Sequence, residues 1–396
     1  MLDSIPILNS GEHTTKKCSH TKDLKTHQER IMSLVKLPAT TTVTNSLING
    51  EINQWHLHNP AAAKVDVPTV LIHGYAASSM AYYRTLATLS KNVKDVYVID
   101  LPANSLSSVP PHSDISHLKI NKIKVVQVSK DKENEKYVFK VAPPHAYDAQ
   151  REKQVIDKLE NYYLDVIEKW RRANYGLDKF NLVGHSFGGY LSFKYAIKYP
   201  EVVDKLCLVS PLGVASNIRS VNNVFDTKKE YVMDLQNPGS MLYNRQRMIP
   251  NFLFNNQLNV LKWMGPVGSK LTRKYINSAY VKVPTMDYKD YLYEYFQMGV
   301  PQVNVDIFTK LFSRNLMARD PIMDNMNRLK STRFMMMYGD NDWMDKFSGY
   351  TLVQNINKIK NNFDRKATYV EIPDAGHNLF LDNPEDFSNN LIKFLS

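Results

Sequence analysis

Cysteine is almost absent from this chain, which has only Cys18 and Cys207 among its 396 residues. Two cysteines this far apart do not indicate a disulfide framework, so the composition favours a reducing compartment. No apolar run reaches the roughly 18 residues that a membrane-spanning helix requires. The first 30 residues lack the apolar segment of a secretory signal and contain four acidic residues, which transit peptides usually avoid. We therefore expect neither a disulfide-rich secreted domain nor a membrane-spanning chain.

Motifs for binding metals and nucleic acids are also missing. The chain has no H-E-x-x-H motif and no cluster of cysteine and histidine, so we predict no catalytic metal. Its formal net charge is +11, which suits nucleic acid, an anionic membrane surface or an acidic substrate. No nucleic-acid motif accompanies this charge. A phospholipid is the partner that would also suit a serine enzyme, and plain solubility is the alternative explanation of the charge.

Short apolar runs alternate with helical patterns along most of the chain. Val67–His73, Asp95–Leu101 and Lys205–Val209 have the composition of buried strands. The alternation predicts an α/β fold, in which a mostly parallel central sheet has helices on both faces and right-handed crossovers. Hydrophobic residues make up 43% of the chain, enough to form such a core.

Two stretches interrupt this alternation and suggest the domain boundaries. Residues 104–147 are rich in lysine and read as a basic surface insertion. Residues 214–326 are rich in aromatic residues, methionine and basic residues, which we interpret as a mostly helical lid inserted in the core. Residues 1–40 are polar and predict a flexible N-terminal arm with a short helix near its end. The predicted core then comprises residues 41–213 and 327–396.

The segment Asn181–Tyr190, NLVGHSFGGY, indicates a nucleophilic serine. Its apolar start predicts a strand and its end predicts a helix, which is the context that a G-x-S-x-G motif requires. Gly184 and Gly188 leave room for a sharp turn, and the turn presents the Ser186 hydroxyl above the sheet. The backbone N–H of Phe187, at the start of the helix, is a candidate donor to an oxyanion. The alternative is a glycine-rich turn with a structural serine.

A serine nucleophile needs a base, and the base needs an orienting acid. In this kind of fold the chain order is serine, acid, histidine. His377 follows the last predicted strand and is our candidate base. Asp342 follows the preceding strand and is the favoured acid, whereas Asp345, one helical turn later, is the alternative. Both loops lie at the carboxyl ends of predicted strands, where open α/β sheets bind ligands.

The loop after the first central strand predicts the second oxyanion donor. Gly74 allows a tight turn there, and the backbone N–H of Tyr75 or Ala76 can point at the reacting oxygen. Together with Phe187 this gives the two donors that an acyl-transfer site requires. No comparable context surrounds the remaining histidines, and His185, beside the serine, is expected to point into the sheet.

These residues together resemble the α/β-hydrolase superfamily over about residues 65–395. The segments LIHGYAASS, LPANSLSS, GHSFGGY, YGDNDWMD and PDAGHNLFLD resemble one subfamily more closely. It contains the abhydrolase-domain proteins four and five and the fungal group of lysophosphatidate acyltransferases and cardiolipin-specific phospholipases. The subfamily carries H-x4-D near its C-terminus, and His377 and Asp382 match that motif.

This resemblance implies transfer of a fatty acyl group from acyl-CoA to lysophosphatidic acid, without a bound cofactor. Acyl-CoA would be a co-substrate, and His377 would serve both the triad and the acyltransfer motif. The alternative role for Asp382 is in capping the last helix. The alternative functions are a phospholipase, for example on cardiolipin, and a non-catalytic partner that binds lipid or a lipase.

The lid supplies two further expectations. Basic residues that could bind a phosphate are Lys270, Arg273, Lys274, Arg314 and Arg319. The run Ile249–Met264 is apolar with few charges and could dock on a membrane, although packing over the pocket explains it equally well. We expect a peripheral protein on the cytoplasmic side of membranes or lipid droplets, with the mitochondrion as the alternative and no prediction of oligomeric state.

Overall fold

The computed structural model describes residues 23–121, 123–131, 136–142, 148–226, 228–244, 248–330, 333–359 and 367–396. The strands among them are β1 (Thr42–Ile48), β2 (Ile52–His58), β3 (Thr69–Ile72), β4 (Asp95–Ile99), β5 (Lys124–Asp131), β6 (Lys136–Ala142), β7 (Phe180–His185), β8 (Val203–Val209), β9 (Glu230–Val232), β10 (Arg333–Gly339) and β11 (Thr368–Ile372).

The helices are α1 (23–33), α2 (Leu86–Asn92), α3 (Ser113–Ser116), α4 (Ala149–Ala173), α5 (Phe187–Lys198), α6 (Asn251–Asn256), α7 (Asn259–Trp263), α8 (Gly265–Ala279), α9 (Met286–Met298), α10 (Gln302–Leu311), α11 (Ile322–Asn325), α12 (Lys346–Ile359), α13 (Leu379–Asp382) and α14 (Pro384–Leu395). The described residues also contain two short 3₁₀ helices, Ser79–Tyr82 between β3 and α2 and Met326–Arg328 between α11 and β10.

The central sheet has eight strands in the order β1-β2-β4-β3-β7-β8-β10-β11. The hairpin β1–β2 is antiparallel and joins β4 antiparallel, whereas the strands from β4 to β11 pair in parallel. Both faces are buried, because Leu206 and Leu208 of β8 belong to one hydrophobic cluster and Cys207 and Val209 to the other. Burial on both faces is expected of a parallel sheet covered by helices. The predicted α/β fold is confirmed.

The described part of the N-terminal segment contains a helix that packs against the core. Residues 23–33 form α1, whose Leu24 and Ile31 are buried in the core cluster that also contains Trp55. Gln28 of this helix donates to Ser105 Oγ (2.9 Å) and to Tyr291 OH (3.2 Å) and accepts from Trp55 Nε1 (2.9 Å). The short helix predicted around Lys25–Val35 is therefore present, and apolar and amide contacts hold it against the core. Residues 1–22 lie outside the described residues.

The insertion and the lid contact one another, which the sequence did not predict. Strands β5 and β6 lie in the predicted basic insertion and form an antiparallel pair. Strand β9, from the predicted lid, adds to β6 and completes a three-stranded sheet. The rest of the lid is mostly helical, from α6 to α11. Residues 122, 132–135 and 143–147 of the insertion lie outside the described residues.

Replacing Ile31 by alanine tests whether α1 is part of the core. Ile31 is fully buried, so we expect Ile31→Ala to lower the free energy of unfolding by about 3 kcal/mol, since a buried side chain is lost and a cavity remains. Urea denaturation measures this change. The control is Leu34→Ala, since Leu34 is 49% exposed and its truncation should cost less than about 0.5 kcal/mol. Equal midpoints for both variants would contradict the packing of α1.

Candidate active site

Ser186 occupies a strained turn between β7 and α5. Its backbone has φ 53° and ψ −116°, a conformation that a residue with a side chain rarely adopts. Three backbone hydrogen bonds fix it: Ser186 N–H donates to Val209 O (2.9 Å), and Ser186 O accepts from Tyr190 N (3.1 Å) and Leu212 N (3.0 Å). Strain of this kind persists only where the surrounding structure holds it, and it is concentrated at functional sites.

The glycines of the motif are required by close approach of the backbone. A Cβ added to Gly188 would lie 2.2 Å from His73 O, and one added to Gly184 would lie 2.5 Å from Gly188 O. Both distances are far below van der Waals contact, so a side chain at either position would push α5 away from the sheet. Gly74 is also near the serine, since its added Cβ would lie 3.0 Å from Ser186 Cβ.

The structure pairs His377 with Asp342 rather than with Asp345. His377 Nδ1 lies 3.2 Å from Asp342 Oδ1, and the side chain of Asp342 is completely buried. Burial alone would raise the pKa of Asp342, but the hydrogen bond and charge of His377 outweigh it and the pKa is lowered. Asp345 instead accepts hydrogen bonds from Tyr243 OH and Ser348 Oγ. Of the two predicted acids, only Asp342 faces the histidine.

The side chain of His185 contacts His377, and the prediction that it points into the sheet was wrong. Rather than pointing into the sheet, its Nε2 lies 2.9 Å from His377 O, and the two rings are 4.7 Å apart. Since a carbonyl only accepts, Nε2 carries the proton. Burial lowers the pKa of His185 well below its ordinary value, and the charge of His377 adds to this effect. His185 is therefore a neutral support for the backbone that carries His377.

The loop that follows β3 lies beside the serine. His73 Nε2 accepts from Leu101 N (2.9 Å), so its Nδ1 donates to Gly74 O (2.7 Å) and orients this loop. The ring of Tyr75 packs edge-on against Phe187, with centroids 5.8 Å apart. Tyr75 and Ala76 line the same cavity as Ser186, while Phe187 begins α5. The three residues predicted as oxyanion donors thus lie near Ser186, and their role as donors stays a prediction.

Asp382 forms a hydrogen bond with the loop that precedes His377. Its Oδ2 accepts from the backbone N–H of Gly376 (2.8 Å), and burial raises its pKa. The alternative that Asp382 caps the last helix is wrong, because Asn383 is the cap: its side-chain oxygen accepts from Asp386 N (3.2 Å). Asp382 acts on the histidine loop instead.

Two connected cavities meet at Ser186 and His377. One has a volume of about 350 Å³ and is mostly apolar; we call it the apolar lobe. It is lined by Ile249, Leu253, Phe254, Leu258 and Phe296, among others. The other has about 500 Å³ and a mixed lining, which includes the polar residues Asn341, Asn378 and Asp382; we call it the polar lobe. Because Ser186 and His377 line both lobes, the site can hold a long apolar chain and a more polar group beside one serine.

The predicted phosphate-binding residues do not line either lobe, although the structure describes all five. Arg273 pairs with Asp290 (3.3 Å) and stacks on the Tyr293 ring (3.9 Å) at the surface. Arg319 is buried and donates to Lys310 O (2.9 Å). Arg314 comes nearest, since it donates to the backbone oxygen of Ile249 (2.8 Å), which does line the apolar lobe. Lys270 and Lys274 are exposed on α8.

Two clusters elsewhere combine side chains that can ligate metals. His56 and His58 of β2 both contact Asp95 Oδ1 at 2.8 Å. The second cluster is Asp157, Glu160 and Asp320, and Lys194 forms ion pairs with its members Glu160 and Asp320. Neither cluster contributes a residue to the lobes around Ser186.

Similarity to known proteins defines the class of protein to which this chain belongs. A family model described as the alpha/beta hydrolase fold matches residues 67–384, and the chain belongs to that family, as predicted. It is 48% identical over 386 residues to the 1-acylglycerol-3-phosphate O-acyltransferase ICT1 of Saccharomyces cerevisiae, covering 96% of this chain and 94% of that protein. It is 47% identical over 371 residues to the protein ECM18 of the same yeast, with coverages of 93% and 79%.

A solved structure agrees with this class at the level of the fold. A bacterial membrane phospholipase A superposes with a TM-score of 0.55 at 16% identity, covering 95% of this chain and 91% of that one. Within the residues that the structure describes, no helix is both long and apolar enough to cross a membrane.

Replacing Gly188 by alanine tests the packing at the serine turn. The added methyl group would overlap His73 O, so we expect Gly188→Ala to destabilise the protein by about 3 kcal/mol and to disturb the turn. Thermal unfolding measures the first effect. Gly239→Ala is the matched control, because its added Cβ would meet only the Asn237 side chain, at 3.3 Å. A melting temperature unchanged by Gly188→Ala would show that the backbone approach is looser than described.

Proposed function

We propose that this protein transfers a fatty acyl group from acyl-CoA to 1-acylglycerol 3-phosphate (lysophosphatidic acid), giving phosphatidic acid. The name of the yeast relative, which matches nearly the whole chain at 48% identity, supports the substrate class. The observation in this chain that carries the proposal is the arrangement of Ser186, in its strained turn, beside the His377–Asp342 pair. The same arrangement supports an enzyme over a non-catalytic binding partner.

The proposed mechanism uses Ser186 as the nucleophile. Its oxygen attacks the thioester carbonyl of acyl-CoA while His377 takes the hydroxyl proton, and Asp342 holds the imidazole and stabilises its positive charge. The backbone N–H of Phe187, with that of Tyr75 or Ala76, would bind the oxyanion. The C–S bond then breaks and His377 returns the proton to the CoA thiolate, which leaves an acyl ester on Ser186.

The second half of the reaction consumes that ester. The free hydroxyl of lysophosphatidic acid loses its proton to His377 and attacks the acyl carbonyl, and the proton then returns to Ser186 as phosphatidic acid leaves. The apolar lobe suits the acyl chain, and the glycerol hydroxyl groups would face Asn341 and Asn378 in the polar lobe. In this scheme Asp382 is a positioning residue, since it holds Gly376 and thereby the loop that carries His377. No bound cofactor is required.

Hydrolysis of a phospholipid, such as cardiolipin, is the second candidate function. It would form the same acyl ester and release it to water. Trp343, which lines the polar lobe, is 60% exposed, so solvent can reach this side of the serine. The two functions separate cleanly when purified protein is given labelled acyl-CoA with lysophosphatidic acid and, separately, cardiolipin. Phosphatidic acid supports the acyltransferase, and free fatty acid with lysolipid supports the phospholipase.

Changing each candidate acid to asparagine tests the proposed triad. We expect Asp342→Asn to lower kcat by about a hundredfold or more, because His377 loses the carboxylate that orients and stabilises it. Ser186→Ala should abolish the acyl-enzyme. Asp345→Asn is the control for the neighbouring carboxylate, and it should retain most activity if its melting temperature is preserved. Equal losses in the two asparagine variants, or full activity of Ser186→Ala, would contradict the assignment.

We also propose that the lid helices dock on an anionic phospholipid bilayer. Phe252 on α6 is 59% exposed and Trp263 on α7 is 63% exposed. Leu253 and Tyr275, nearly half and just over half exposed, also line the apolar lobe, so the patch is continuous with the cavity. Exposed lysines accompany it at Lys262, Lys270 and Lys274. Apolar insertion with basic neighbours is the pattern of an interfacial surface. The cytoplasmic face of a membrane or lipid droplet is the proposed location, and a mitochondrial membrane is the alternative.

Liposome binding tests this surface. Changing Phe252 and Trp263 to serine should weaken binding to vesicles containing phosphatidic acid by about tenfold, since two apolar side chains no longer enter the bilayer. The control is Tyr175→Ser: Tyr175 is fully exposed but lies before the amino end of β7, whereas Ser186 follows the carboxyl end of that strand. Binding that is equal in all three proteins would remove the docking surface from the proposal.

A further inference from the structure

Gln257, between α6 and α7, has a backbone conformation close to that of the nucleophile. Its φ is 51° and its ψ is −132°, against 53° and −116° for Ser186. A residue with a side chain rarely adopts this region, and such residues are concentrated at active sites and ligand clamps. The N–H of Gln257 donates to Leu253 O (2.8 Å) and fixes the turn. A glycine would fit this turn without strain, yet the chain has glutamine there.

The side chain of Gln257 reaches into the apolar lobe. Its Oε1 accepts from Tyr75 OH (2.5 Å), across 182 residues of sequence. Its Nε2 is buried and has no hydrogen-bond partner among the described residues. Gln257 lines the same lobe as Ser186 and His377. A buried amide N–H left unpaired is costly, and the other residues that line this lobe near the lid are mostly apolar, so a ligand is the natural source of the missing acceptor.

Tyr75 holds one end of the Gln257 amide, since its hydroxyl donates to Oε1. A tyrosine hydroxyl both donates and accepts, but its ring is held against Phe187 and Phe308, with centroids 5.8 Å and 4.1 Å away. The hydroxyl therefore meets Gln257 from a fixed direction and occupies one end of its amide. The other end of the amide has no hydrogen-bond partner among the described residues.

We propose that Gln257 is a substrate-binding residue, whose free amide N–H donates to the carbonyl oxygen of a fatty acyl ligand in the apolar lobe. This inference rests on the proposed function for its ligand class, a fatty acyl ester or thioester. The lid would then form a specific hydrogen bond with the ligand, in a lobe that otherwise binds the fatty acyl chain by apolar packing. It also makes the lid a part of the binding site, since Gln257 joins the bound lipid to the Tyr75 loop beside Ser186.

Binding measured without turnover tests the proposal separately from the chemistry. In a Ser186→Ala background, palmitoyl-CoA, lysophosphatidic acid and the alkyl ether analogue of lysophosphatidic acid are titrated calorimetrically. Gln257→Glu keeps an acceptor for Tyr75 OH but replaces the N–H donor by a carboxylate oxygen. We expect it to weaken binding of at least one carbonyl-containing ligand on the order of tenfold. Affinity for the ether analogue, which has no carbonyl, should change less than twofold.

Three further variants make the result decisive. Gln257→Leu retains the approximate volume and should weaken the same ligand, so a folding defect of the glutamate variant does not prevent the test. Tyr75→Phe keeps the ring packing but frees the amide to rotate, and should give a smaller loss of about threefold. Asn256→Leu is the matched control, because Asn256 only bonds Phe252 O within α6, and its affinities should match the parent.

Two results would overturn the inference. One is affinity within twofold of the parent for both acyl ligands in Gln257→Glu and Gln257→Leu. The other is an equal loss for the ether analogue, which would show that no carbonyl is recognised. Failure of the proposed function has a different signature: Ser186 in the wild-type protein would resist a fluorophosphonate probe, a reaction that does not depend on the Gln257 contact.

Discussion

The approach of the His73 carbonyl oxygen to Gly188 is the contact on which the site depends. The added Cβ that would lie 2.2 Å from that oxygen measures how closely the end of β3 crosses the start of α5. This crossing brings the loop carrying Tyr75 and Ala76 against the strained turn of Ser186. A larger residue at the crossing would separate the nucleophile from the loop, so the chemistry requires the absence of a side chain as much as it requires the serine hydroxyl.

The loop after β3 also forms hydrogen bonds with the lid, which in turn contacts α1. Tyr295 OH of the lid donates to Ala77 O (3.0 Å), and Tyr291 OH donates to Ser78 Oγ (2.7 Å). Gln28 of α1 donates to the same Tyr291 hydroxyl. The N-terminal helix and the lid therefore stabilise one another through the loop that borders the serine. Because buried hydroxyls need partners, these bonds define where the lid sits, whereas apolar packing alone would tolerate sliding.

Features that depend on neighbouring residues in the sequence were predicted well. Features that depend on contacts between distant residues were not. The strands and the turn around Ser186 follow from apolar runs and glycine spacing, and the loop of His377 follows from its place after a strand. The choice of Asp342 over Asp345 depends on which carboxylate faces the imidazole, and three residues of spacing do not decide that. Likewise, the sequence predicts a short helix near α1 but not its burial against the core, β9 is only three residues long, and Gln257 becomes informative through a bond that spans 182 residues.

Electrostatics around the histidines explain how one imidazole can carry the proton. His185 lies directly against His377, and two adjacent imidazolium ions would repel each other. Burial keeps His185 neutral by lowering its pKa, and its single Nε2 proton is committed to His377 O. The positive charge that forms on His377 is thus not opposed by a charge on His185 and is stabilised by the enclosed carboxylate of Asp342. A glutamine or asparagine at 185 could make the same hydrogen bond, so the ring itself, which packs edge-on against Phe380 with centroids 4.8 Å apart, favours histidine there.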